Sequence, residues 1–179
     1  MSTNSNLAFA YLNTDKLKNA AERFISAIEL DAGYINAYFG LANTYKKLGW
    51  TEKEIDVYKQ LLGIAPGVVP AMQNLGNAYF NKKLYAEAAE QYSKALKAEP
   101  DNGDIHHNLA VALLNMDQYE EAAGEYSLAI EINPSNASAY NGLAICYYML
   151  QDYSQAKKYA IKAKHMGYKV DEKLLRLKN

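Results

Sequence analysis

The chain has a single cysteine, Cys146, in 179 residues. That excludes an internal disulfide framework and a cysteine-rich zinc site. Proline is scarce, with 4, and no apolar run approaches the roughly 20 residues needed to span a bilayer, so no membrane insertion is expected. Neither sign of charge dominates: 19 Lys and Arg stand against 20 Asp and Glu, a formal net charge of −1. Such a balance argues against holding nucleic acid by bulk electrostatics. The opening MSTNSNLAFA lacks a basic segment followed by an apolar stretch, so no secretory signal is visible and a cytoplasmic protein is expected. There is also no HExxH spacing, no glycine-rich phosphate loop and no nucleophile–base pair. The three histidines, His106, His107 and His165, do not complete a site among themselves. No catalytic residue, metal or cofactor is expected.

What the chain does have is apolar content, half of its residues, and 16 tyrosines. Three prolines, Pro66, Pro100 and Pro134, are spaced by 34 and 34 residues. The same step carries leucine through positions 7, 41, 75, 109 and 143. A small residue follows each: Ala8, Ala42, Gly76, Ala110 and Ala144. Farther along come Tyr11, Tyr45, Tyr79, Leu113 and Tyr147, then Ala20, Glu54, Ala88, Ala122 and Ala156. An aromatic series, Phe24, Tyr58, Tyr92 and Tyr126, ends at Ala160, and Ala27, Leu61, Ala95, Ala129 and Ala163 close the pattern. Chance does not hold this register, so the chain is an array of repeats.

Within a unit the apolar residues recur at three- and four-residue steps, as in Met72, Leu75 and Tyr79 and then Ala88, Tyr92, Ala95 and Leu96. That is the period of an amphipathic helix. A polar turn separates the two runs. Pro100 disfavours helix at Glu99, so the second run should stop there. Each unit therefore reads as helix–turn–helix, with alanines letting helix axes approach closely. The pattern resembles the tetratricopeptide repeat (TPR), which places Leu, a small residue and Tyr in its first helix, then Ala, an aromatic, Ala and Pro. The resemblance covers 1–34, 35–68, 69–102, 103–136 and 137–170. It implies an all-α, right-handed α-solenoid of five units forming a single domain over 1–179.

A solenoid needs its last apolar face covered. Residues 171–179 are expected to form a capping helix, with Asp171 as N-cap, Val170 and Leu175 as a hydrophobic staple, and Leu174 and Leu177 on one face. No such cap precedes the first helix, which leaves the N-terminal face frayed or open to a partner. The second unit breaks the pattern: Glu54 and Leu61 stand at alanine positions, and Thr51 where Tyr85, Tyr119 and Tyr153 stand later. A buried unpaired carboxylate is costly, so Glu54 is expected to tilt to solvent, with Trp50 compensating for the missing tyrosine.

The resemblance implies that the first helices line a concave groove through unit positions 2, 5, 6, 9, 12 and 13. These are Asn6, Phe9 and Asn13, then Asn36, Phe39, Asn43, Lys46 and Lys47, then Gln73, Asn74, Asn77, Phe80 and Asn81. The fourth unit supplies Asp104, His107, Asn108, Leu114 and Asn115, and the fifth Asn141, Ile145, Tyr148 and Met149. Amides dominate, and an amide both donates to and accepts from a peptide backbone whatever its sequence. The surface is similar to the asparagine-lined repeats of O-linked N-acetylglucosamine transferases. Asn13, Asn81 and Asn115 lie where a helix should finish and are expected to act as caps. The expected peptide contacts are thus Asn36, Phe39, Asn43, Gln73, Asn74, Asn77, Phe80, His107, Asn108, Asn141 and Tyr148. Gly40 and Gly142 interrupt the ladder. Chaperone-binding members of the family clamp a C-terminal carboxylate with a lysine at position 5, where this chain has Ser5, Phe39, Gln73, His107 and Asn141. That specialisation is not expected.

Charge is distributed in blocks. The fourth unit has six acidic residues (Asp104, Asp117, Glu120, Glu121, Glu125 and Glu131) and no Lys or Arg, whereas 137–179 has eight basic and three acidic residues. The expected function is a protein–protein interaction module that binds a peptide segment or helix of a partner in its groove. The alternative is a self-assembling scaffold, a homo-oligomer joined through its ends and charged patches. His106 is expected to be a half-buried packing residue, and His107 a groove residue that Asp104 orients.

Overall fold

In the computed structural model, residues 2–177 are described. Eleven helices and no strand occur among them. In chain order they are α1 (Ser2–Asn13), α2 (Leu17–Leu30), α3 (Ile35–Lys47), α4 (Thr51–Ile64), α5 (Val69–Asn81), α6 (Tyr85–Ala98), α7 (Gly103–Leu114), α8 (Tyr119–Ile132), α9 (Ala137–Met149), α10 (Tyr153–His165) and α11 (Glu172–Leu175). The prolines act as expected: α4, α6 and α8 stop at Ile64, Ala98 and Ile132, two residues before Pro66, Pro100 and Pro134. No described helix is long and apolar enough to cross a membrane.

The turn between paired helices is built at one repeat position that the sequence did not flag. Asp15, Gly49, Lys83, Asp117 and Gln151 all have a left-handed backbone, with φ of 58°, 71°, 62°, 59° and 63°. They recur at the 34-residue step, but only one is glycine. The asparagines expected as caps sit two residues earlier. Asn115 is the C-cap of α7, and its amide donates to the Val111 carbonyl at 2.8 Å. Asn13 and Asn81 are the last residues of α1 and α5.

The chain divides into two compact units, Met1–Lys83 and Leu84–Asn179. In the first, consecutive helices from α1 to α5 pack on one another. Ala8, Ala20, Ala37, Ala42 and Ala71 are fully buried between the axes, with Phe24, Tyr38 and Leu61 filling the remaining space. Leu41 and Leu75 are buried, while Leu7 is 38% exposed because no described helix before α1 covers it. In the second unit α6 to α10 pack in the same consecutive way, and α11 lies against α9 and α10. Ala110, Ala122, Ala144, Ala156, Ala160 and Ala163 are fully buried there.

The C-terminal cap is shorter than expected. Asp171 does cap α11, accepting from the Lys173 backbone N–H at 2.8 Å. The helix itself has one turn, and Lys178 and Asn179 lie outside the described residues. Leu174 is buried against Ala144 and Ala160, with Val170, Leu175 and Leu177 packed around them. The Lys157 ammonium ties the end down by donating to the Leu177 carbonyl at 2.9 Å.

Two expectations are corrected. Glu54 does not tilt to solvent; it is 5% exposed, and burial raises its carboxyl pKa above the ordinary range while the nearby Lys46 charge pulls it back. It stays inside because its place, four residues into α4, faces α3 and its lysine. Trp50 lies 5.8 Å from the Tyr45 ring but remains 39% exposed, with the Lys53 ammonium 4.4 Å over its face. His106 is more deeply buried than expected, at 8% exposure. Its Nδ1 lies 2.6 Å from a Glu125 carboxylate oxygen and its Nε2 2.8 Å from the Pro100 carbonyl, tying α7 to α8 and to the preceding turn.

Candidate functional site

In the first unit, four of the expected contacts come together. Asn36, Phe39 and Asn43 on α3 and Asn74 on α5 line a cleft of about 400 Å³ with Phe9, Gly40, Lys46 and Tyr58. Spacing explains this, since Asn36, Phe39 and Asn43 follow three- and four-residue steps along one helix face. Asn36, Asn43 and Lys46 are exposed and Phe39 is half-buried. Lys46 is the single charged group in the lining. The Phe39 ring meets Tyr58 edge-on at 5.9 Å, and Phe9 meets Phe24 the same way at 4.9 Å.

Tyr58, at the aromatic position of the second helix, also lines this cleft although the sequence did not place it in the groove. Burial pushes its hydroxyl pKa up to about 12, the Glu54 charge adds to this, and a hydrogen bond from the Asn74 side chain opposes it. Asn74 is therefore committed to Tyr58, and its amide is less available than those of Asn36 and Asn43. The rest of the expected contacts on α5, Gln73, Asn77 and Phe80, are half-buried and do not line this cleft.

The glycines that break the amide ladder have a packing cause. A Cβ on Gly40 would lie 2.3 Å from the Phe24 ring, and one on Gly142 would lie 2.2 Å from the Tyr126 ring. At these positions the aromatic of the preceding second helix occupies the space an asparagine would need. The sequence shows both glycines and both rings, but not that they meet.

In the second unit, Asn141 and Tyr148 line another cleft, also about 400 Å³, with Ile145, Tyr168, Lys169, Asp171, Lys173 and Leu174. The α11 turn forms one wall, and the Lys173 ammonium sits 4.6 Å over the Tyr148 ring. Lys173 thus covers part of one face of this ring, which still lines the cleft. His107 and Asn108 are half-buried on α7. His107 meets Tyr126 edge-on at 5.6 Å, and its Nδ1 is buried without a hydrogen-bond partner. Burial lowers its pKa, and the Asp104 charge partly offsets this.

No group of three or more His, Cys, Asp or Glu among the described residues is placed to hold a metal. Cys146 is buried, and its thiol is pushed up to about 12 by burial, far from the thiolate a nucleophile requires.

Family comparison agrees with the helix pairs. The tetratricopeptide repeat family model matches residues 35–67, and the TPR repeat model matches 76–117 and 116–151. The chain belongs to the tetratricopeptide repeat family. A search of the curated proteins finds no match. Among solved structures, a crystal structure of MamA is 19% identical, with a TM-score of 0.84 over 95% of this chain and 97% of that one. MamA from Desulfovibrio magneticus RS-1 is 15% identical, with a TM-score of 0.85 over 93% and 94%. YrrB, described as a TPR protein with an unusual peptide-binding site, is 19% identical, with a TM-score of 0.80 over 91% and 84%. At these identities the likeness shows the fold, which is the all-helical TPR solenoid expected from the repeats.

Proposed function

We propose that this TPR chain is a protein-interaction module that holds a segment of a partner protein in the cleft between α3 and its neighbours. The observation that carries the reading is the cleft lining. The exposed amides of Asn36 and Asn43 stand beside the partly apolar surface of Phe39 and Phe9, with Lys46 at one side. Amides of this kind pair with peptide groups irrespective of sequence, and the rings supply apolar contact between them. YrrB, which shares the fold, is described by a peptide-binding site. Asn141 and the second cleft are a further contact region of the same kind, narrowed by α11. Gln73, Asn77, Phe80, His107 and Asn108 are secondary contacts.

The test is affinity for peptides selected from a random library against the intact chain. Replacing Asn36 and Asn43 together by alanine removes two hydrogen-bonding side chains, at about 1 kcal/mol each. Binding should weaken by roughly tenfold or more, with helicity by circular dichroism unchanged. Undiminished binding by a fully helical variant sinks the reading.

A further inference from the structure

We infer that a second copy of this chain docks on the outer face formed by α8 and α10, giving a closed two-fold dimer. The two helices expose the same repeat positions: Glu120, Gly124, Ser127, Leu128 and Glu131 on α8 correspond, at the 34-residue step, to Ser154, Lys158, Ile161, Lys162 and His165 on α10, and all are exposed. Both helices pack against α9 through their other sides.

Their chemistry is opposite. The α8 sequence YEEAAGEYSLAIEI contains four glutamates and no basic residue, while the α10 sequence YSQAKKYAIKAKH contains four lysines and a histidine and no acidic residue. Glu125 is taken up by His106. The other charges have no ion-pair partner among the described residues at Glu120, Glu121, Glu131, Lys158, Lys162 and Lys164. Two neighbouring strips of opposite sign favour one particular arrangement. A two-fold axis between them sets each acidic strip against the basic strip of the other copy, so both contacts form at once and the assembly closes.

Shape supports the same pairing. Beside α10 lies a mostly apolar notch of about 380 Å³, lined by Tyr140, Lys158, Tyr159, Ile161, Lys162 and His165. Lys158 and Lys162 lie over the Tyr159 and Tyr140 rings, at 5.2 Å and 5.9 Å. This notch asks for an apolar knob with a carboxylate next to it. The α8 strip supplies one: Leu128 is 42% exposed, and the exposed Glu131 follows it by one turn on the same face. A mixed apolar and charged face of this kind is the composition of an interface rather than of a purely solvated helix.

The test is sedimentation of the full chain at high micromolar concentration. The wild type should be dimeric at low salt. Its dissociation constant should rise by about an order of magnitude toward 1 M salt, where the Debye length falls to about 3 Å. Lys158→Glu with Lys162→Glu should give a monomer, as should Glu120→Lys with Glu131→Lys. Mixed one to one, these two variants restore both complementary contacts and should dimerise. Leu128→Ser alters no charge and should weaken the wild-type dimer by about tenfold. A wild type that stays monomeric at low salt overturns the inference. So does association that none of the variants changes, or a mixture that stays monomeric although both variants keep wild-type helicity.

Discussion

Glu54 is the residue at which the repeat pattern and the fold disagree most. All four other units place a fully buried alanine at its position, and here a carboxylate is buried instead. Its folded pKa is raised, chiefly by burial. Between the unfolded and folded values the unfolded chain binds fewer protons, so stability falls as pH rises through that window and the cost is complete above it. Glu54→Gln should therefore unfold at higher denaturant than the wild type at pH 7, by about 1 kcal/mol. The gain should vanish below the ordinary carboxyl value of 4.5, where the side chain is neutral in both states. A gain that persists unchanged at low pH would place the cause elsewhere. Position 6 gives a second residue-scale contrast. Gly40→Ala drives a methyl into the Phe24 ring and should cost about 1–3 kcal/mol. Gly63→Ala, with nothing within 4 Å, should be neutral or stabilise by up to about 1 kcal/mol. Urea unfolding of the two variants checks the pair, and equal effects would contradict it.

At the scale of the element, helix pairs were legible because the signals were physical and repeated. Proline stops three second helices, alanine permits close approach, and a 3.6-residue apolar period sets each face. The left-handed turn residue was not legible, because Asp15, Lys83, Asp117 and Gln151 carry no glycine signal at all. Their backbone is imposed by the packing of the two helices they join, and a side chain with a Cβ is held there at a cost of roughly 1–2 kcal/mol. Gln151→Gly should raise the melting temperature and Gly49→Ala should lower it, each by roughly 1 kcal/mol of stability. Thermal unfolding decides this, and opposite signs would contradict the turn geometry. The length of α11 was likewise hidden. The leucine spacing of 174–177 fits a longer helix, but burial of Leu174 and the anchored Leu177 carbonyl fix the segment after one turn.

At the scale of the whole molecule, five repeats in one register made the family readable, whereas the site was readable only in part. Asn36, Phe39, Asn43 and Asn74 do meet in one cleft, because repeat position maps directly onto helix face. What the sequence did not reveal are side-chain contacts between neighbouring helices: Asn74 held by Tyr58, Tyr148 partly covered by Lys173, and His106 tied to Glu125. These side-chain partners depend on how neighbouring helices turn against each other, which no single-helix pattern encodes. The central claim is that the cleft on α3 receives a partner segment. Its most direct test is nuclear magnetic resonance of the side-chain amide groups as the intact chain is saturated with a library-selected peptide. Shifts centred on the Asn36 and Asn43 amides, with neighbouring signals from Phe39 and Lys46, are the expected result. Binding that leaves both amides unmoved and shifts only the outer faces of the second helices would contradict it.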